Sequence, residues 1–241
     1  MRVEQEIRFE PYLDDVPIEV ASAPTIAVAL PIFSHGLHSA AWWRLGLKRS
    51  MDVVASALGL ILLAPLFLIV GLLVVLTSRG PAFFVQRRVG RDGRPFSMVK
   101  FRSMYRDAHA HRDEQRDRNM HEGPIFKVRD DPRITPIGRV IRRLSIDELP
   151  QLFNVLVGDM SLVGPRPCLP EEFREYGERE RRRLLVRPGI TCIWQVSGRS
   201  DVDFSTWVDM DLDYISSWSL LLDLKLLALT LPAVVSGRGA Y

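Results

Sequence analysis

Charge is missing altogether from one part of this 241-residue chain. Between Asp52 and Arg79 run 26 residues, VVASALGLILLAPLFLIVGLLVVLTS, without one Asp, Glu, Lys, Arg or His. Cysteine is scarce: Cys168 and Cys192 alone exclude a disulfide scaffold and read as two free thiols. Histidine is sparse and badly spaced for a metal. His109, His111 and His121 are separated by two and ten residues and do not share a helical face. No P-loop, dinucleotide-binding fingerprint or Ser-His-Asp pattern appears, and there is no internal repeat or low-complexity tract. Hydrophobic residues make up 47% and charged residues 25%, which excludes a wholly disordered chain. The net charge is only +3 but is unevenly placed: residues 79–150 carry an excess of +7, directly after the uncharged stretch. That placement points to an anionic surface or substrate. The basic tract has only Phe96 and Phe101 as stacking platforms, so nucleic acid is not an expected partner.

The uncharged stretch is long enough for lipid, since a bilayer core takes about 20 apolar residues. It begins too far into the chain for an ordinary cleaved signal peptide. Pro65 lies near its middle and removes a backbone donor, so a bend is expected there, with arms Val53–Ala64 and Leu66–Ser78. Each arm is about 18–20 Å long, less than a core of about 30 Å. Two half-depth arms entering and leaving one face and a kinked spanning helix both fit. Arg44, Lys48 and Arg49 before the stretch and Arg79, Arg87 and Arg88 after it give no orientation.

Around this stretch the patterns predict short elements. Residues 1–40 read as a poorly ordered arm with a short element at Thr25–Ile32, and Ala40–Lys48 as an interfacial helix carrying Trp42 and Trp43. Ala82–Val89 and Phe96–Phe101 read as strands about the turn Arg91-Asp92-Gly93. Helices are expected at Ser103–Asn119, Ile134–Arg143 (after the turn Asp130-Asp131-Pro132), Ser145–Leu156, Glu171–Leu185 and Leu220–Val235. The last is apolar but carries Asp223 and Lys225 and suits packing on the domain or lying in an interface.

Four segments carry candidate chemistry. In LSIDELPQLFNVL, Ser145 and Glu148 have capping-box spacing, which would place Asp147 and Glu148 in the first turn of a helix. Backbone N–H groups there favour a carboxylate and attract phosphate, and an ionised Asp beside a phosphate site could attack phosphorus. Ordinary caps give the same pattern. In QRRVGRDGRPFSMVKFRSM, Arg88, Lys100 and Arg102 alternate with apolar residues and suit a diphosphate, or simply an exposed strand face. In GDMSLVGPRP, Arg166 stands between Pro165 and Pro167, whose stiffness would present the guanidinium at low entropic cost. In RPGITCIWQVSGRS, Gly189 and Gly198 permit tight turns, and Gln195, Ser197 and Arg199 offer polar contacts.

Together, in the order KRSMD, proline-broken apolar segment, basic tract, LSIDELPQLFNVLVGDMSLVGPRP and RPGITCIWQVSGRS, these segments resemble the bacterial sugar transferases, the monotopic phosphoglycosyl transferases. The likeness covers about residues 47–236, and the short N-terminus resembles that of the exopolysaccharide-initiating type. The resemblance implies an α+β fold: a membrane-associated, mostly helical cytoplasmic catalytic domain (81–241) with a small β element. It also implies one re-entrant helix-break-helix (47–80) with Pro65 at the break, after an N-terminal arm (1–46). Family members often have Ser before that proline, where this chain has Ala64. The implied activity is transfer of a hexose-1-phosphate, galactose or glucose, from a UDP-sugar to undecaprenyl phosphate with release of UMP. The implied catalytic dyad is Asp147, the nucleophile, and Glu148, with Mg²⁺ held at Asp147. Arg88, Lys100, Arg102, Asp159, Arg166, Gln195 and Arg199 are the substrate-binding candidates. The implied location is the cytoplasmic face of the bacterial inner membrane, in contact with membrane lipid and compatible with a homodimer. The competing reading is a non-enzymatic membrane anchor whose basic domain binds acidic lipid or a partner protein.

Overall fold

The computed structural model describes residues 40–108, 128, 131–197 and 202–236. The expected element at Thr25–Ile32, the histidines at 109, 111 and 121, most of the Ser103–Asn119 helix, and Gly198 and Arg199 lie outside them. The described chain is α+β: helices predominate, with two small sheets.

The uncharged stretch forms parts of two helices, α1 (Trp42–Leu62) and α2 (Ala64–Thr77), bent by 60°. The break falls at Leu63, two residues before Pro65, which occupies the first turn of α2 where a missing N–H costs nothing. The expected interfacial helix is not separate: Trp42 and Trp43 open α1, which runs on without interruption. Among the described residues no single helix is long and apolar enough to cross a membrane; only the bent pair has the length and composition. Val54, Leu58, Ile61, Leu62, Leu68 and Leu76 are each more than half exposed on the pair.

The strands β1 (Phe83–Val89) and β2 (Pro95–Phe101) form the expected antiparallel hairpin, with Phe84 opposite Lys100 and Arg88 opposite Phe96. Helix α3 (Pro136–Arg143) is capped by Thr135, whose hydroxyl accepts from Gly138 N. Val70 and Val74 of α2 pack with Phe101 and Ile141, which joins the broken pair to the hairpin and α3. Next come a 3₁₀ turn (Ile146–Glu148), α4 (Gln151–Val157) and β3 (Ser161–Val163). The expected helix over Glu171–Leu185 is divided into α5 (Pro170–Glu175), α6 (Glu178–Arg181) and a 3₁₀ turn (Arg182–Leu185). Tyr176, extended and buried, interrupts it by turning inward against Val89, Cys168 and Leu184. Strand β4 (Gly189–Thr191) pairs in parallel with β3, and α7 (Ile193–Ser197), α8 (Phe204–Ser217) and α9 (Leu220–Ser236) complete the layer. The described part of Ser103–Asn119 is not helical; Met104 instead bridges to Ile134.

The charged residues at the start of α1 fasten it to this layer. Lys48, 7% exposed, donates to Asp223 Oδ2 (2.7 Å), Val163 O (3.1 Å) and the Tyr214 hydroxyl (3.4 Å). Asp223, on α9, also lies within hydrogen-bonding distance of Tyr214 Oη (2.8 Å) and Trp218 Nε1 (3.1 Å). One turn on, Asp52 Oδ1 accepts from Leu162 N (3.0 Å). Arg49 donates to Val155 O (2.6 Å) and Leu156 O (2.9 Å), capping the C-terminal end of α4.

Leaving one member of a buried ion pair unpartnered costs about 3–5 kcal/mol. Asp223→Ala is expected to lower stability by that order, and Lys48→Met/Asp223→Leu to recover part of the loss. Lys225→Ala, on the exposed side of α9, should change little. Thermal unfolding of the detergent-solubilised variants measures this; an unchanged Asp223→Ala would show that the network does not fasten α1.

Candidate active site

Asp147 and Glu148 sit on the 3₁₀ turn between α3 and α4, not in the first turn of a longer helix. The expected capping box does not form. Ser145 is left-handed (φ 53°), its side chain caps nothing, and α4 begins only at Gln151, after Pro150. A residue capping a helix needs an extended backbone; the αL turn at Ser145 instead redirects the following carboxylates. Glu148 therefore turns toward β2 and the loop after β3. Its Oε1 accepts from Lys100 Nζ (3.1 Å) and Arg166 Nη2 (2.9 Å).

These partners are held by backbone geometry. Asn154 of α4 donates to Ser97 O (2.7 Å) and accepts from Val99 N (3.0 Å), locking α4 to the strand that carries Lys100. Arg166 follows a point where two backbones nearly touch. Gly189 N donates to Pro165 O (2.9 Å), and a Cβ on Gly189 would lie 2.1 Å from Gly164 N. Only glycine fits there. Arg183, itself bound to Asp211 Oδ2 (2.7 Å) and Tyr176 Oη (2.9 Å), reaches Arg166 O at 3.3 Å.

The two carboxylates differ sharply. Burial alone would raise Glu148, but Arg166 and then Lys100 hold it well below the usual carboxylate range. Asp147 is also buried and has no hydrogen-bond or ion-pair partner among the described residues. Burial first, and the Glu148 charge second, push it up to about 6 against the pull of Lys100, Arg142 and Arg166. Burial also draws Lys100 down to about 8, with Glu148 opposing and Arg166 and Arg88 assisting. Glu148 in turn raises Arg166. The arrangement is one carboxylate committed to two cations and a second that is bare, ionised near neutral pH and ringed by positive charge.

The other sequence candidates have different places. Arg88 faces the same region: its Nη1 donates to Pro167 O (3.1 Å), and burial and the Arg166 charge lower it to about 10. Arg102 joins a different structure. It donates to Ser78 O (2.5 Å) and Arg79 O (3.0 Å), caps the end of α2 and makes no contact with the dyad. Asp159 is exposed beyond α4 and accepts from Asn154 Nδ2 (3.3 Å). Gln195 accepts from Cys192 Sγ (3.1 Å). Arg142, Asn154 and Arg183 were not singled out from sequence. Arg142, six residues after the Pro that opens α3, had a signal in its helical spacing; the other two had none, because Asn154 meets backbone groups of β2 and Arg183 meets Asp211 and Arg166 O, all distant in sequence.

For a divalent cation, the described residues contain no group of three His, Cys, Asp or Glu side chains. Magnesium is commonly held by one or two carboxylates plus substrate phosphates, and a bare Asp147 suits that smaller donor set.

The family model described as bacterial sugar transferase matches residues 43–237. The chain is 47% identical over 197 residues to the galactosyl transferase CpsE of Streptococcus agalactiae, covering 80% of this chain and 43% of that protein. It is 43% identical over 206 residues to the exopolysaccharide production protein ExoY of Sinorhizobium fredii, covering 80% and 88%. It is 45% identical over 214 residues to an undecaprenyl-phosphate glucose phosphotransferase of Komagataeibacter xylinus, covering 83% and 38%. The chain thus spans less than half of the first and third relatives and most of the second.

A carboxyl raised on folding favours the native state while protonated and loses that contribution as pH rises through the folded value. For Asp147 the shift from 3.8 to about 6 corresponds to at most about 3 kcal/mol. The contribution is whole only below about pH 4, so Asp147→Asn is expected to exceed the parent's stability at pH 5, where about half is lost, and to exceed it by more at pH 8. Thermal unfolding at the two pH values measures this; a loss of stability at pH 8 would show that the ionised carboxylate is held by a partner.

Proposed function

The chain belongs to the bacterial sugar transferase family, and from that premise we propose that it transfers a sugar-1-phosphate from a UDP-sugar to undecaprenyl phosphate, releasing UMP, as the first step of exopolysaccharide synthesis. The observation that carries this reading is the unpartnered Asp147 beside a Glu148 already bound by Lys100 and Arg166. Relatives named for undecaprenyl phosphate and for exopolysaccharide production support the acceptor and the pathway. The sugar is a hexose, galactose or glucose, as in the names of two relatives.

An ionised Asp147 oxygen attacks the β-phosphorus of the UDP-sugar. The bond from that phosphorus to the bridging oxygen breaks, and UMP leaves with the electron pair. An oxygen of the polyprenyl phosphate then attacks the phosphosugar and restores the carboxylate. Glu148 holds Lys100 and Arg166 toward the diphosphate, where their charge offsets the charge that builds on the leaving group. Arg88 adds a third cation from the hairpin. Mg²⁺, held by Asp147 and the donor's diphosphate, would supply further neutralisation of that charge.

The bent pair sets the depth of this chemistry. From Val53 the uncharged part of α1 is about 15 Å long and α2 about 21 Å, each short of a core of about 30 Å. A re-entrant pair keeps both ends on the cytoplasmic face of the inner membrane and the site at the level of the lipid phosphate. Leu47→Cys and Arg79→Cys are expected to be equally shielded from an impermeant thiol reagent in intact cells and to react after lysis; labelling of only one in intact cells would indicate a spanning helix.

Purified protein should release UMP from a UDP-hexose in the presence of polyprenyl phosphate, and Asp147→Asn should reduce the rate more than a hundredfold, about 3 kcal/mol or more in the barrier. Turnover should rise as pH passes through about 6, where Asp147 ionises, and fall above about 8, where Lys100 loses its proton. Acid-quenched peptides should carry the phosphosugar on Asp147. Parent-like turnover by Asp147→Asn would remove the nucleophile assignment, and absence of UMP release with every UDP-sugar would favour the non-enzymatic anchor.

A further inference from the structure

Basic residues gather at a second place, which shares no residue with the dyad cluster. Beside the start of α1 lies a cleft of about 100 Å³, several times what one water needs. Its polar lining is Lys48, Arg49, Asp52, Arg91, Ser161 and Arg187. Two of these charges are already engaged: Lys48 pairs with Asp223, and Asp52 accepts from Leu162 N. The three guanidiniums are not neutralised to the same degree. Arg49 uses one N–H of each terminal nitrogen on the α4 carbonyls. Arg187 donates only from Nε, to Gly158 O (2.9 Å), and its terminal nitrogens have no partner among the described residues. Arg91 pairs with its neighbour Asp92 across a half-exposed contact of 3.3 Å. Burial, and then the charges of Arg49 and Arg91, lower Arg187 against the pull of Asp52.

Ser161 supplies an independent observation. It is 1% exposed, it lines the cleft, and its Oγ has no hydrogen-bond partner among the described residues. An unpaired buried hydroxyl is costly unless a ligand completes it. The hydroxyl and three guanidiniums of this lining outnumber its one carboxylate, Asp52, whose Oδ1 is taken by Leu162 N, and that excess of donors suits an oxyanion.

We propose that this cleft binds a phosphate group, and that its source is the headgroup of an anionic phospholipid. Depth argues for the lipid. The uncharged part of α1 begins one residue after Asp52, and Trp42 and Trp43 are 84% and 55% exposed a few turns before it. Tryptophan and arginine at such positions belong at headgroup level. The phospholipid would then fix the height and tilt of α1 from outside the catalytic cluster. The lipid source rests on the membrane reading of α1 and α2; the anion site does not, so the two can fail separately.

The test uses the full chain at constant ionic strength, with thermal stability as the readout. In one arm, detergent-solubilised protein is titrated with inorganic phosphate. In the other, protein in phosphatidylcholine nanodiscs receives increasing phosphatidylglycerol. The parent should be stabilised in both arms, and Arg91→Gln/Arg187→Gln and Ser161→Ala should each require roughly tenfold more of either anion. Both arginines are exposed, and Ser161→Ala removes only an orphaned hydroxyl, so folding should survive; if the double variant fails to fold, Ser161→Ala decides. UMP release in phosphatidylcholine alone should be the same in both variants as in the parent. A response to phosphate but not to phosphatidylglycerol, with the same dependence on the variants, would keep the anion site and overturn the lipid as its source. Equal responses of parent and variants, or no response to either anion, would overturn the proposal.

Discussion

Two carboxylates that are neighbours in sequence and buried together cannot both stay bare and ionised without large compensation. The resolution here is unequal. Glu148 takes Lys100 and Arg166 on one oxygen, which leaves Asp147 with burial and a negative neighbour on one side and the more distant pull of Lys100, Arg142 and Arg166 on the other. Each supporting contact serves that inequality. Asn154 fixes the strand bearing Lys100, the Gly164–Gly189 approach fixes the loop bearing Arg166, and Arg183 holds the same loop from behind. The nucleophile proposed at Asp147 needs one ionised oxygen free to attack, and a Glu that accepts Lys100 and Arg166 keeps both close to phosphate without placing them on Asp147.

The same economy of cations appears where the bent helices meet the catalytic layer. The KRSMD segment has a helical spacing that places Lys48, Arg49 and Asp52 on one side of α1. Each reaches a different part of the layer: α9, the end of α4 and the start of β3. Lys48 and Asp223 would be costly to bury singly, and together with Tyr214, Trp218 and the Val163 carbonyl they satisfy one another. The apolar helices are thereby held in register with β3, whose loop carries Arg166. An apolar seam alone would permit sliding; a buried pair with fixed partners does not.

Patterns with short-range causes were legible in the sequence. The hairpin showed through its turn residues, α3 through the Asp130-Asp131-Pro132 turn before it, and the broken helix through Pro65 and the uncharged stretch. Asp147, Glu148, Lys100 and Arg166 were singled out in the sequence, but spacing did not reveal that the fold brings them together. What misled was local chemistry overridden by tertiary contacts. The Glu171–Leu185 pattern is charged and helical throughout, yet Tyr176 turns into the core and divides it. Arg102 shares the alternation of Arg88 and Lys100, but lies one residue beyond β2 and goes to the carbonyls at the end of α2. Asp223 read as a tolerated charge on an apolar helix; only the fold reveals that it faces Lys48.

The Ser145–Glu148 spacing is the instructive case, because one motif has two physical uses. As a capping box, Glu148 would fold back on its own helix and satisfy a local N–H, and Asp147 would lie on an exposed first turn. The chain prevents this at both ends. Pro150 has no N–H to offer the turn that precedes α4, and Ser145 adopts a left-handed conformation that a capping residue does not use. A left-handed serine is strained, and such strain persists only where surrounding contacts over-determine it. Here the ion pairs from Glu148 to two other elements supply those contacts. The carboxylate is thus withdrawn from its helix and given to Lys100 and Arg166, and the residue beside it is buried without a partner among the described residues. The chemistry proposed for Asp147 depends on that local exchange of a cap for an ion pair.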